Sequence, residues 1–205
     1  TEAAGTVSTS RLDDSRDQRF KRLGTPLPGI EVKIMNPETG EECAVGEQGD
    51  TWIRGNGIFT EYYKSPEKTA EALDEQGWFH SSDICSVDED GQLLFHGRLR
   101  DMLKVGGENV AAIEIETCLQ KHPSVKLAQV VGIPDLRLQE VPAAFVELND
   151  DTQASKEELI NFCKDKIAGF KVPKHIRFTK EWPMSSTKIK KYQLQNQIIE
   201  ELGLT

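Results

Sequence analysis

The sequence predicts an α+β fold in two parts, and three observations carry the prediction. Up to about Arg98, strand and turn signals dominate. Beyond Leu99, apolar strands alternate with amphipathic helices, as a mixed sheet with flanking helices requires. The change falls in "GRLRD", Gly97 to Asp101, where no Gly/Ser/Pro-rich run suggests a floppy linker. That short join is expected to act as a hinge of a few residues.

Taken in order, "IEVKI" (Ile30 to Ile34) alternates apolar and charged residues, the pattern of a half-buried strand. "NPETGEE" follows as a turn, and "TWIRG" (Thr51 to Gly55) reads as a short strand. "KSPEKTAEAL" (Lys64 to Leu73) predicts a helix with Ser65 as its cap and Pro66 in its first turn. "SVDEDGQLLFHG" (Ser86 to Gly97) predicts a β-hairpin turning at Asp90-Gly91. In the second part, Ile115, Cys118, Leu119 and His122 fall on one helical face ahead of Pro123. "KLAQVVGI" and "AAFVEL" are apolar enough for central strands. Ser155 and Glu158 form a capping box for "KEELINFCKDKI". A last helix places Leu194, Ile198, Ile199 and Leu202 on one side.

At 205 residues the chain can bury a core without staples. No apolar run approaches a membrane span, and the start has no basic head with an apolar core. The four cysteines, Cys43, Cys85, Cys118 and Cys163, contain no C-x-x-C pair, so reduced core thiols of a cytoplasmic protein are expected rather than a metal knuckle. The net charge of −9 is uneven: Thr1 to Arg98 carries 10 Lys+Arg against 19 Asp+Glu, and Leu99 to Thr205 carries 15 of each. Lys166 to Lys191 holds eight basic residues and one acid, Glu181. That stretch suits phosphates or is an ordinary basic face. Nucleic acid is not expected, because the whole chain is acidic and the stretch has few aromatics for stacking.

Several turns could carry chemistry. "GWFHSSD" places Asp83 just before a strand, where a carboxylate could accept both hydroxyls of a ribose or simply close a turn. "VGGENV" places Gly106 and Gly107 after the strand "MLKV", giving close ligand approach or a plain tight turn. "AGFKVPKH" sets Gly169 and Phe170 between a helix and a strand, beside Lys171 and Lys174. "WPMSSTKIKKYQL" sets Lys188 behind three hydroxyl residues. The phosphate-loop pattern G-x-x-x-x-G-K-[ST] is absent.

In order and spacing, these stretches resemble the acyl-CoA synthetases of the AMP-forming adenylating superfamily. The matching runs are "GTPLPGIEVKIMNPETGE…GEQGD…RGNGIFTEYYKSPEKTAEAL" and "GWFHSSD…DEDGQLLFHGRLRDMLKVGGENVAAIEIE…HPSV…VVGIPD…AAFVEL…GFKVPKHIRF…WPMSSTKIKK". The resemblance covers nearly the whole chain. It implies that residues 1–98 are the β-rich end of a large AMP-binding domain and residues 99–205 a mobile C-terminal lid. It implies a two-step reaction, in which a carboxylic (fatty) acid attacks the α-phosphate of ATP to give an acyl-adenylate and CoA then displaces AMP. By position, Asp83 matches the aspartate that holds the ATP ribose, and Arg98 the arginine near ribose and phosphates. Arg100 matches the hinge. Gly106 and Gly107 match the turn lining the pantetheine channel, and Phe170, Lys171 and Lys174 the CoA contacts. Lys188 matches the catalytic lysine that reaches the carboxylate and α-phosphate, while Lys190 and Lys191 read as helix-start surface charges. Thr1 and Glu2 resemble the end of a Y-G-x-T-E motif, whose threonine touches phosphate and whose glutamate helps bind Mg. On that match the chain is a fragment, expected to lack ligase activity alone.

The departures are specific. The family usually has Thr-Gly-Asp where this chain has Ser81-Ser82-Asp83, and Asp or Lys at the hinge where it has Arg100. Thr187 replaces the usual glycine before Lys188, and "SSTKIKK" is one residue short. Two alternatives remain at this level: an adenylating enzyme loading a carrier-protein thiol, and a non-catalytic module binding nucleotide or CoA. The acid itself is not readable, because in this family the acyl pocket lies upstream.

Overall fold

The computed structural model describes residues 1–204 and divides into two units, Thr1–Arg100 and Asp101–Thr205. The first begins with the short strand β1 (Ser8–Thr9), helix α1 (Arg16–Lys21) and strand β2 (Thr25–Pro26), which pairs antiparallel with β1. There follow β3 (Ile30–Met35), β4 (Gly49–Gly55), helix α2 (Pro66–Ala72), β5 (Phe79–Val87) and β6 (Leu93–Arg98). Among the described residues, β3-β4-β5-β6 form a four-stranded antiparallel sheet in chain order. Its buried apolar cluster is modest: Ile34, Cys85 and Leu93, with Val32, Cys43 and Val87 against them.

Two local expectations need correcting here. Ser65 occupies the position before α2, but its hydroxyl makes no capping bond. Instead Thr69 donates its hydroxyl to the Ser65 carbonyl at 3.0 Å. The β5–β6 hairpin forms, but Asp90-Gly91 is not a two-residue turn. The Asp88 carboxylate accepts from the backbone N–H groups of Asp90 (3.0 Å) and Gln92 (2.9 Å), and this wraps a longer loop with Gly91 at φ +73°.

A 3-10 turn over Leu99–Asp101 leads into the second unit. That unit contains β7 (Met102–Val105), β8 (Glu108–Ala111), helix α3 (Ala112–Gln120), β9 (Val125–Asp135), β10 (Gln139–Leu148), helix α4 (Lys156–Lys164), β11 (His175–Phe178) and helix α5 (Lys191–Leu202). β9 and β10 pair antiparallel along almost their whole length, and β11 joins β10 in parallel from Ala143 to Val146. β7 touches β10 at Gln139 and continues antiparallel into β8. The sheet is therefore mixed. One face packs against α3 and α4 through Ile115, Leu119, Leu159 and Val146, and the other against α5 through Phe145, Ile133, Leu194 and Ile198. Each such side chain, fully buried, contributes about 1.5–3 kcal/mol by leaving water.

The capping box at Ser155 forms as expected, with Ser155 Oγ accepting from Glu158 N–H at 3.0 Å. His122 lies two residues past the end of α3 rather than on it. It is still buried, its ring edge-on to Phe162 and its Nε2 3.3 Å from Glu158 Oε1. All four cysteines are free, and burial pushes the Cys85 thiol up to about 11 and that of Cys163 to about 12. Among the described residues no helix is long and apolar enough to cross a membrane.

Candidate active site

A bulge builds the site in the first unit. The register between β4 and β5 runs Asp50↔Ile84 and then Trp52↔His80, so Ser81, Ser82 and Asp83 together face Thr51. Bulges of this kind bend a strand and re-aim its side chains. Ser81 Oγ donates to the Thr51 carbonyl at 2.7 Å and accepts the Asp83 N–H at 3.1 Å. Ser82 takes up the excess chain with φ +59°. Asp83 is thus inside β5, not ahead of a strand as its sequence suggests.

Across the sheet Asp83 faces Arg98, the last residue of β6. Arg98 Nε approaches Asp83 Oδ1 to 2.9 Å, but the N–H direction does not make a hydrogen bond. That carboxylate oxygen is buried and has no hydrogen-bond partner among the described residues. Burial pushes the Asp83 carboxyl above its ordinary range, and the charges of Arg98 and Arg100 oppose the rise. The Arg98 charge offsets part of the desolvation, and an acceptor position without a hydrogen bond suits a ligand hydroxyl.

Two cavities share lining residues here, and the smaller one reaches this group. One of 180 Å³ is lined by Thr1, Glu2, Ser81, Asp83 and Arg98. The other, of 810 Å³, shares Glu2, Ser81 and Arg98 and adds Tyr62, His80 and Arg100. Residues from the chain start, from β5 and from the end of β6 therefore converge, as the sequence reading grouped them. Glu2 accepts the Tyr62 hydroxyl at 3.0 Å. A hydrogen bond from its own backbone, aided by Tyr62 and opposed by burial, holds the Glu2 carboxyl below the usual range, so it stays charged. Sequence reasoning missed Tyr62 and His80. His80 stacks on Trp52 at 3.8 Å, and its Nε2 is buried without a hydrogen bond among the described residues. Nothing in the spacing of "FTEYYK" or "WFHSS" singles them out.

The second unit holds the remaining candidates. Gly106 and Gly107 form the turn between β7 and β8, with φ +61° and +88°. Paired positive φ values are the two-residue hairpin geometry that glycine adopts freely. The Gly106 N–H donates to the Leu138 carbonyl at 2.7 Å. Leu138 N–H in turn donates to Asp135 Oδ1, and Asp135 Oδ2 takes Lys174 Nζ at 3.2 Å. The glycine turn and Lys174 are thereby linked through the β9–β10 connection. Lys171 Nζ grips both oxygens of Glu114, at 2.9 and 2.7 Å, beside a half-exposed Phe170. Both cations are therefore paired, not bare.

Lys188 closes a tight turn of its own. Ser185 N–H and Oγ both donate to the Lys188 carbonyl, at 2.8 and 3.0 Å, and Met184 bridges Ile189. The Lys188 side chain is exposed, and its ammonium has no partner among the described residues. Lys191 departs from expectation. It is not a surface charge, because its Nζ sits 2.7 Å from Oε1 of buried Glu116.

The family model for "AMP-binding enzyme" matches residues 1–63, and that for "AMP-binding enzyme C-terminal domain" matches residues 114–189. A Bacillus subtilis protein described as an acyl-CoA synthetase, YngI, is 41% identical over 100% of this chain, which spans 38% of its length. The mitochondrial medium-chain acyl-CoA ligase ACSF2 of Danio rerio is 37% identical over 93% of the chain, which spans 32% of it. The solved o-succinylbenzoate CoA synthetase of Bacillus subtilis, in complex with its acyl-adenylate intermediate, superposes with TM-score 0.85 at 28% identity, covering 96% of this chain and 39% of that one. The chain spans between 32% and 39% of the length of these relatives, and within that span it belongs to the AMP-binding enzyme family.

Proposed function

We propose that the full-length protein activates a carboxylic acid with ATP and passes the acyl group to the thiol of CoA. The observation that carries this reading is the convergence of Thr1, Glu2, Asp83 and Arg98 on one pair of cavities, with the buried Asp83 oxygen open for a hydroxyl. Asp83 accepts the ribose hydroxyls of ATP, and Arg98 answers the adjoining phosphate charge. Thr1 donates to a phosphate oxygen. Among the described residues no cluster of three or more His, Cys, Asp or Glu forms a metal cage. A magnesium ion carried on nucleotide phosphates needs only one or two protein carboxylates, and the charged Glu2 fits that demand. Bound there, it would neutralise phosphate charge.

Lys188 supplies the cation at the α-phosphate, where negative charge builds as pyrophosphate leaves. The join at Arg100–Asp101 serves as the hinge by which the second unit delivers that lysine for adenylation and presents the Gly106-Gly107 turn, Phe170, Lys171 and Lys174 for CoA. The relatives' names support a thioester-forming ligase.

The test is the two half-reactions measured apart in the full-length protein. Lys188→Ala is expected to slow acid-dependent ATP–pyrophosphate exchange by about a hundredfold or more, the scale of losing one charge-stabilising group. CoA thioester formation from supplied acyl-adenylate should change far less. Equal slowing of both removes the role given to Lys188. The 205-residue chain alone is expected to release no acid-dependent pyrophosphate, and release at an intact enzyme's rate would overturn that.

A further inference from the structure

We propose that Lys191 is a positioning residue for adenylation, setting where the Lys188 turn stands on the second unit. This rests on the reading of Lys188 given above. The turn is closed internally: Lys190 N–H donates to the Pro183 carbonyl at 2.7 Å, and the Ser185–Lys188 bonds complete the loop. Those bonds fix its shape but not its place. Besides the packing of Trp182 and Ile189 against the α5-side apolar cluster, two polar legs tie it down. On the first, Trp182 Nε1 donates to Glu147 Oε2 at 2.6 Å. On the second, Lys191 Nζ meets Glu116 Oε1 at 2.7 Å.

The second leg carries the geometry into the sheet. Glu116 lies on α3, is buried, and its Oε1 also accepts the N–H of Val130 in β9 at 2.8 Å. The carboxylate is thus referenced to a strand of the sheet, and through it so is the lysine that starts α5. Lys191 also stands 3.8 Å from Asp101 Oδ2, at the very start of the unit.

The start of α5 argues the same way. A helix N-terminus favours Ser, Thr, Asp or Asn as cap and disfavours cations, because the helix dipole is positive there. This helix begins Lys190-Lys191, and its cap residue makes no side-chain bond. The buried carboxylate of Glu116 offsets that local penalty. The ion pair, in place of a cap, fixes where the helix begins and hence where Lys188, three residues earlier, is held.

The experiment uses the full-length protein with Lys191→Met, Lys191→Arg, Glu116→Gln and the double variant Lys191→Met/Glu116→Gln. Lys188→Ala is run beside them. Lys191→Met strands a buried charge and could unfold the unit; the double variant removes both charges and keeps the test open. In the double variant, acid-dependent pyrophosphate exchange is expected to lose about tenfold to a hundredfold in kcat with little change in KM for ATP, as displacement of a catalytic group by about 1 Å does. Thioester formation from supplied acyl-adenylate stays within about twofold, and amide exchange speeds up at Ser185–Ile189. Lys191→Arg recovers most of the loss. Parallel loss in both half-reactions, or unchanged pyrophosphate exchange, overturns the proposal. If Lys188→Ala leaves adenylation intact, the reading of Lys188 fails; if it slows adenylation while the double variant does not, only the positioning role fails.

Discussion

Ser82 holds a backbone conformation that suits glycine better than serine. Its φ of +59° lies in the left-handed region, where a Cβ crowds the following carbonyl at a cost of about 1–2 kcal/mol. The family's usual Thr-Gly-Asp at this place answers the same bulge without that cost. Ser82→Gly is therefore expected to raise stability by about 0.5–1 kcal/mol, the relief being offset in part by the flexibility of glycine in the unfolded chain. A rise in Tm with the ATP-dependent half-reaction retained would bear this out; a fall would contradict the bulge geometry. Asp83, the next residue, trades stability against function. Burial raises its carboxyl, so its folded-state pKa exceeds the unfolded value. The sign follows: the protonated form favours folding, and that contribution fades as pH rises through the window above the ordinary aspartate range of about 3.9. Asp83→Asn should leave melting at pH 7 unchanged or slightly raised, with the difference vanishing below about pH 4, while weakening ATP use. A variant that melts much lower at pH 7 would mean the carboxylate is structural. At this scale the sequence singled out residues but not how they are held. Resemblance to the family singled out Asp83 and Arg98, and they face each other across the sheet. The bulge was not legible, because nothing in "HSSD" distinguishes three residues facing one from a regular strand. Lys191 was misread for a similar reason: its partner Glu116 is 75 positions away, and no local pattern marks that glutamate as buried.

Elements were easier to read where one rule governs them. The period of Ile115, Cys118 and Leu119 and the capping box at Ser155 each encode a helix locally, and the helices form there. The hairpin after β5 was legible as a hairpin but not in its loop, because the Asp88 side chain outcompetes the simple Asp-Gly turn for backbone donors. The Gly106-Gly107 turn obeys its sequence closely. An alanine at Gly106 would face both φ +61° and Leu138 Cδ2 at 3.1 Å from its Cβ. Gly106→Ala should therefore destabilise the second unit by about 1–2 kcal/mol. Gly107→Ala meets no atom within 4 Å but still carries φ +88°, so it should cost somewhat less. Urea unfolding of the two variants side by side checks the order, and equal tolerance of both would show the turn to be adaptable.

For the whole chain, the two units are unequal in what they bury. Both large apolar clusters lie entirely within residues 101–205, on opposite faces of one sheet. The first unit's cluster has three buried apolar members, with Ile53, Trp78, Phe79 and Ile84 buried outside it. Residues 101–205 expressed alone are expected to melt cooperatively, since a core of that kind in about a hundred residues suffices for independent folding. Residues 1–100 alone should not. A gradual, non-cooperative melt of the second unit would show that it depends on the rest of the protein. Lys171 and Lys174 reach their surface already matched with Glu114 and Asp135, the latter held below the usual carboxylate range by backbone N–H groups and by Lys174. An arriving polyanion would find no naked ammonium there. It would evict tethered acids and take their seats, so ionic strength, which loosens the old couples and the new ones together, leaves that exchange close to level.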